Sequence, residues 1–282
     1  MEIIDCRSIA GGISSNLKEE FDKLSDRLGR PPVLAVVTDG DSKESASYLR
    51  SRKKSAEKLG IVVRDITYGS GSTKKEILEI VRKSSSSSEV DGVMVSFPLP
   101  FPELTSEVAD VIPWNKDVDC INPRNHGLIM ENREFVAPAT AMSVMKIIES
   151  EGVRQGSTVA VVNRSVVIGR PLAMMLLNRN YTPIVCHTKT VDLKGVTQRA
   201  DVVVVGAGKA RLVDASWISE GTTVIDAGIN VVDGHVVGDV DQESMSSISG
   251  RMTSVPGGVG PVTTQMLFSN LLKCAESQLG NR

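Results

Sequence analysis

The chain has 282 residues, enough for one large domain or two of ordinary size. Apolar residues make up 41%, charged residues 23%, and the formal net charge is −2, which fits an ordinary globular protein and argues against a surface built for nucleic acid or an anionic membrane. Aromatics at 4% leave little for base-stacking platforms, and apolar runs stay short of the ~18 residues needed to span a bilayer. Cys6, Cys120, Cys186 and Cys274 lie far apart with no Cys-x-x-Cys pair, and His126, His187 and His235 are equally scattered. Neither a disulfide framework nor a metal centre is expected. The first residues are acidic and no long apolar stretch follows them, so a secretory signal is not expected and a cytoplasmic protein is.

Short β-branched runs alternate with longer amphipathic stretches. Residues 31–37 read as a strand, 45–59 as a helix ended by Gly60, and 61–67 as a second strand. Residues 74–82 read as a helix with Ile77, Leu78 and Val81 at core spacing, and the serine-rich stretch 83–89 reads as a solvated loop. A third strand is expected at 91–96, then a proline-rich turn, then a long loop-rich segment over 112–138 of the kind that carries function. A helix follows at 139–151, and Gly152 and Gly156 mark a boundary. Beyond it the pattern restarts: strand 158–162, turn 163–169, and a helix opened by Arg170 and Pro171. Strands at 182–186, 201–205 and 222–226 and a terminal helix at 262–277 complete the chain. This alternation predicts an α/β protein with mostly parallel sheets and helices covering them.

A strand, a turn and a helix beginning at residue 158 are the arrangement that sets a helix N-terminus against a pyrophosphate. The turn is not a G-x-G-x-x-G motif, so an ordinary βαβ crossover stays open as the alternative. Asn163, Arg164, Ser165 and Gly169 are the candidates in that turn. The next strand ends at Cys186, His187 and Thr188 without the acid that normally receives an NAD ribose, so a cation and a hydroxyl, Arg164 and Thr188, favour the 2′-phosphate of NADP. Gly208 and Ile229 sit in turns at later strand ends, the edge where ligands of open parallel sheets lie. The apolar runs at 202–205 and 222–225 suit either an interface or buried parallel strands. In the first half, Tyr48 and Arg52 stand one turn apart on the expected helix. Asp117 and Asp119 alternate, and if that stretch is extended both carboxylates point one way. One of them could then grip the N–H edge of a heterocycle; a turn with a solvated acid is the alternative.

These residues carry a resemblance over essentially the whole chain. The Pro-Gly-Gly-Val-Gly-Pro stretch at 256–261 with Thr263 is its most specific part. Ser45 and Tyr48, Asp91-Gly with Pro98-Leu-Pro100, Pro113 with Lys116-Asp-Val-Asp119, Asn125 and Gly127, Arg164-Ser165 with Gly169 and Pro171, and Cys186-His-Thr with Thr190 complete it. The sequence resembles the bifunctional methylenetetrahydrofolate dehydrogenase/methenyltetrahydrofolate cyclohydrolase family. The resemblance implies two α/β domains around a cleft, a folate-binding catalytic domain of residues 1–141 plus 262–282 and a Rossmann-type NADP-binding domain of residues 142–261. It implies oxidation of 5,10-methylenetetrahydrofolate to 5,10-methenyltetrahydrofolate, often followed by hydrolysis to formyltetrahydrofolate, in a homodimer without metal. Carried over by position, Tyr48 lines and stacks on the folate, and Asp119 holds the pterin. Arg164, Ser165 and Thr188 contact NADP, with Asn163, Gly169, His187, Gly208 and Ile229 beside it. Pro256, Gly257 and Gly258 shape the cleft beside the nicotinamide.

The departures from the family pattern gather in the first half. The family's catalytic lysine, four residues after the tyrosine, is Arg52, and its partner glutamine is Ser96. Cys120 replaces a glycine, Ala139 a cysteine and Asn163 a glycine. Hydride loss needs positioning more than a base, whereas hydrolysis needs proton movement, which an arginine serves poorly. Dehydrogenation is therefore expected to be retained and cyclohydrolase to be weak or absent, unless Ser96 holds a water that rescues it. Lys53 lies ~100° round the helix and replaces the missing lysine only if a local bulge turns it inward. A related oxidoreductase with another substrate, suggested by Ser96, Cys120 and Ala139, and a silent NADP-binding protein are the competing readings.

Overall fold

The computed structural model describes residues 1–41 and 43–279, with side chains described for all of these except 43–48 and 51. In chain order the elements are β1 (Glu2–Ile3), α1 (Cys6–Leu28), β2 (Val33–Asp39), α2 (Lys43–Lys58), β3 (Val62–Tyr68), α3 (Lys74–Ser86), β4 (Gly92–Val95), α4 (Leu104–Val111), α5 (Pro123–Met130) and α6 (Ala139–Ser150). Then come β5 (Thr158–Val162), α7 (Gly169–Asn178), β6 (Thr182–Cys186), α8 (Leu193–Gln198), β7 (Val202–Val205), β8 (Thr223–Asp226), β9 (Asn230–Val232), β10 (His235–Val237), β11 (Arg251–Met252) and α9 (Val259–Leu279). No helix among the described residues is long and apolar enough to cross a membrane, and no group of acidic, histidine or cysteine side chains among them could hold a metal ion.

The chain divides into two α/β units. One comprises Ile13–Leu128, Glu134–Ala137 and Leu267–Arg282 and contains a parallel sheet in the order β3-β2-β4. Its central strand β2 is buried on both faces, which is why residues 33–37 form an unbroken apolar run rather than an alternating one. Ile77 and Val81 of α3, with Leu104 and Val108 of α4, close the core over that sheet. The serine-rich stretch is not the expected solvated loop. Helix α3 runs on to Ser86, and Ser84 and Ser85 are buried. A capping box of Thr73 and Glu76 starts the helix, and the Ser84 hydroxyl donates to the Ile80 carbonyl at 2.8 Å, so a polar side chain is satisfied inside the last turn.

The other unit comprises Met1–Gly12, Ile129–Arg133 and Pro138–Met266. Its sheet is parallel throughout, in the order β1-β11-β8-β7-β5-β6. The order turns at β5, the switch point where ligands of doubly wound sheets lie. Strand β1 adds to β11, so the first twelve residues pack with this unit rather than with the one that follows them in sequence. The valines of β7 are fully buried between β5 and β8, as is most of β8, so these runs are core and not an interface. An antiparallel hairpin, β9 and β10, turns at Asp233 and Gly234, both with positive φ.

Candidate active site

In the first unit, the candidate residues lie on α2, on the segment 116–120 and at the end of β4. Residues 116–118 lie along β4: the Val93 amide donates to the Lys116 carbonyl at 2.7 Å, and the Val118 amide donates to the Val93 carbonyl at 3.4 Å. This close approach requires Gly92, because a Cβ there would stand 2.5 Å from Val118 and 2.7 Å from Leu271. From α9, the fully buried Asn270 donates to the carbonyls of Val118 at 2.9 Å and Ala137 at 2.7 Å. The stretch is extended only at Asp117. Cys120 adopts φ 56°, so the chain turns immediately after Asp119 and the two carboxylates do not act as an alternating pair.

Their roles separate accordingly. The Asp117 carboxylate is buried and accepts the amides of Ile121 and Asn122 and the Asn125 side chain, at 2.8–3.0 Å. It therefore builds the loop instead of meeting a ligand. Asn122 caps α5 ahead of Pro123, which breaks the long segment expected to be loop with a short helix. Asp119 keeps part of its surface open, yet the protein encloses its carboxyl group, and desolvation pushes the pKa up to about 7. Arg52 opposes that rise and Asp117 adds to it. The structure thus brings Arg52 and Asp119 into electrostatic reach of each other. Ser96 is half-buried at the end of β4, its amide held by the Val37 carbonyl at 2.9 Å. Tyr48 stands one turn before Arg52 on α2, and its side chain lies outside the described residues. Helix α2 is regular, and Lys53 pairs with Asp65 on β3 at 3.5 Å, so no bulge turns it toward Arg52's position.

In the second unit the candidates collect at the C-terminal edge of the sheet. Asn163 closes the turn from β5 to α7: its Oδ1 accepts the amides of Ser165 at 2.7 Å and Gly169 at 2.9 Å, and its Nδ2 donates to the Gly206 carbonyl beyond β7. Arg164 is exposed on the turn, and the Arg170 side chain donates to its carbonyl at 3.1 Å. After β6, the His187 amide donates to Thr190 Oγ1 at 2.8 Å, and His187 Nδ1 accepts the Lys189 amide at 3.1 Å. This turn exposes Thr188 and Lys189. Gly208, at φ 66°, donates its amide to Asp239 at 2.8 Å. Ile229 is 57% exposed on the turn after β8. Gly257 has φ 98°, and a Cβ on Gly258 would overlap the Ser254 carbonyl, so the turn at 256–258 needs both glycines.

Two carboxylates that the motif reading missed hold these turns together. Asp226, at the end of β8, accepts the amides of Gly228, Asp239 and Val240 at 2.9–3.1 Å, and its own amide donates to Thr253 Oγ1. Asp239 accepts Gly208 and the Asn230 side chain. Both are buried; desolvation, with Asp239 adding to it, pushes Asp226 up to about 6 against the pull of its three amides. An aspartate ending the apolar run of β8 was the available signal.

The tetrahydrofolate dehydrogenase/cyclohydrolase catalytic-domain model matches residues 4–119, and the model of its NAD(P)-binding domain matches residues 138–279. The chain belongs to the tetrahydrofolate dehydrogenase/cyclohydrolase family. The bifunctional protein FolD of Thermotoga petrophila is 42% identical over 277 residues, 98% of each chain. The crystal structure of the bifunctional 5,10-methylenetetrahydrofolate dehydrogenase/cyclohydrolase of Thermoplasma acidophilum matches with a TM-score of 0.91 at 38% identity, over 100% of both chains. The Trypanosoma brucei enzyme of this family, complexed with NADP and an inhibitor, matches with a TM-score of 0.91 at 32% identity, over 98% of this chain and 97% of that one. Family membership thus accounts for the two α/β units, one of them an NAD(P)-binding domain.

Proposed function

We propose that the protein oxidises 5,10-methylenetetrahydrofolate to 5,10-methenyltetrahydrofolate with NADP as hydride acceptor, and that it hydrolyses the methenyl product slowly or not at all. Family membership over both halves of the chain supports the oxidation. The arginine at position 52, in reach of Asp119, supports the second part and is the observation on which it stands. Tyr48 stacks on the folate, and the ionised Asp119 accepts hydrogen bonds from the N–H edge of the pterin. Loss of hydride from the methylene carbon leaves a cation shared by its two nitrogens, so the step asks the protein for orientation. Hydrolysis asks for more: one proton must leave the attacking water and another must reach the ring nitrogen as the ring opens. A guanidinium stays protonated to about pH 12, so Arg52 holds charge without exchanging protons. Ser96, half-buried at the end of β4, is a group that could orient water, and Lys53 is engaged with Asp65.

NADP fits the second unit's donor set. No carboxylate stands at the end of β6, while Arg164, Thr188 and Lys189 offer two cations and a hydroxyl for a 2′-phosphate, with Ser165 and His187 beside them. Pro256, Gly257 and Gly258 form the turn assigned to the nicotinamide side, with Gly208 and Ile229 on neighbouring turns. A homodimer is part of the proposal. Strand β6 ends its sheet and leaves Ile184 and Val185 each 38% exposed, apolar surface suited to a second copy. The test is absorbance kinetics with methylenetetrahydrofolate and NADP, then NAD, following reduced nicotinamide and methenyl product separately. Reduced nicotinamide with accumulating methenyl product is expected. Reduced nicotinamide without accumulation would show that hydrolysis survives Arg52. Absence of turnover with either dinucleotide would refute the dehydrogenase assignment in favour of another substrate or a silent binder.

A further inference from the structure

The turn joining β5 to α7 is closed chiefly by the Asn163 side chain. Both lone-pair directions of the Asn163 amide oxygen are occupied, by the amides of Ser165 and Gly169, and its nitrogen reaches across to the Gly206 carbonyl. Further bonds lock the same turn: the Ile168 amide to Ser165 Oγ at 3.1 Å, and the Arg170 amide to the Ser165 carbonyl at 3.0 Å. Gly169 admits no side chain here, because a Cβ would overlap the Asn163 carbonyl oxygen. The amide of Gly169 begins α7, where the helix dipole and unpaired N–H groups ordinarily attract an anion. In this protein a neutral amide oxygen from the same chain already stands at that place.

We propose that Asn163 is a positioning residue of the dinucleotide turn: it fixes the turn before the cofactor arrives and ties it to the neighbouring Gly206 turn, and it does not itself touch the cofactor. This deepens the NADP reading above and rests on it. A residue that acts by preorganising backbone affects NADP and NAD both, because they share the pyrophosphate, and NADP at least as strongly, because Arg164 rides on the same turn. Discrimination at the 2′-phosphate then belongs to the exposed Arg164, Thr188 and Lys189, not to Asn163. A Gly or Ala at position 163 leaves two amides and one carbonyl without their partner, so the turn samples other conformations in the free protein.

The experiment is calorimetric titration of NADP and of NAD against the wild type, Asn163→Ala and Asn163→Gly, with thermal melting and methenyltetrahydrofolate binding measured on each. Both dinucleotide affinities are expected to fall by about tenfold or more, NADP at least as far as NAD, with folate binding unchanged. Loss of NADP affinity with NAD affinity unchanged would mean that Asn163 acts at the 2′-phosphate alone, and tighter binding would mean that the freed amides are wanted by the pyrophosphate; each overturns the proposal, as does a melting shift with unchanged affinity. Hydrogen exchange on the wild type gives a reading that needs no variant. The Ser165 and Gly169 amides are expected to be protected without cofactor and no better protected with NADP; protection that appears only with NADP would refute the inference. A wild type that binds neither dinucleotide would instead refute the NADP reading itself.

Discussion

The proposed grip of Asp119 on two N–H groups of the pterin requires its carboxylate form, and its environment places the titration of that group near neutrality. With a pKa of about 7, the ionised share is about one half at pH 7, about a tenth at pH 6 and about nine-tenths at pH 8. Burial raises the pKa and Arg52 lowers it. Removing that cation by Arg52→Gln is expected to move the titration up by about one unit, the low end of what a nearby opposite charge contributes. Arg52→Lys keeps the charge, so the midpoint should hold to within about half a unit while a group able to exchange protons is restored. The assay is kcat/KM for methylenetetrahydrofolate at saturating NADP from about pH 6 to about pH 9, because this ratio reports groups of the free enzyme. The wild type should gain about fivefold between pH 6 and pH 7 and level off above pH 8. Arg52→Gln should reach its plateau only above about pH 9, and Arg52→Lys should follow the wild-type curve while gaining hydrolysis of the methenyl compound. A wild-type profile flat across this range, or an Arg52→Gln profile with an unmoved midpoint, would refute the coupling. An Arg52→Lys protein that binds folate normally without gaining hydrolysis would refute the proton-exchange argument.

Asp226 gives a stability prediction of definite sign. Its folded pKa of about 6 lies above the ordinary 3.8, so the favourable protonated form is fully present below about pH 4 and its contribution is lost as pH rises through 6, about 3 kcal/mol in all. Urea denaturation at the two ends of that window should show Asp226→Asn gaining on the wild type by about this amount as pH rises; an equal difference at both ends would contradict the assignment. Gly92→Ala drives a methyl group into Val118 and Leu271 and should cost about 1–3 kcal/mol. It should also raise KM for folate, since Val118 precedes Asp119; destabilisation with an unchanged KM would separate the two. Lys53→Ala should leave methenyl hydrolysis unchanged and cost under about 1 kcal/mol, because Lys53 is half-exposed and paired with Asp65. Loss of residual hydrolysis in that variant would make Lys53 the proton carrier.

The parallel strands were readable because full burial writes an unmistakable pattern. The continuous apolar runs of β2, β5 and β7 belong to strands covered on both faces. Elements whose stabilisation is local or whose apolar stripe is diluted were harder to see. Helix α1 is 23 residues long but carries Gly11, Gly12 and adjacent serines, which dilute the helical stripe of its buried Leu17, Phe21 and Leu24. The hairpin carries a turn signal in Asp233-Gly234, and α5 carries its own in Asn122 followed by Pro123. The serine-rich end of α3 has the composition of a loop, and it is helical because its hydroxyls can bond within the helix, as Ser84 does.

At the site, residue type in a motif told more about location than about role. Asp117 and Asp119 look equivalent two positions apart, yet one builds the loop with three hydrogen bonds and the other is left to titrate. What separates them is the left-handed turn at Cys120, and nothing in the side chain of a cysteine announces φ 56°. Asn163 makes the same point from the opposite direction. Its place in the phosphate turn marks it as a cofactor contact, but its carboxamide is committed to the protein on both ends. A polar residue in a binding turn is a candidate ligand only after its hydrogen bonds within the chain have been counted. By that criterion the exposed Arg164, Thr188 and Lys189 stay candidates for the cofactor, and Asn163 moves to the scaffold that presents them.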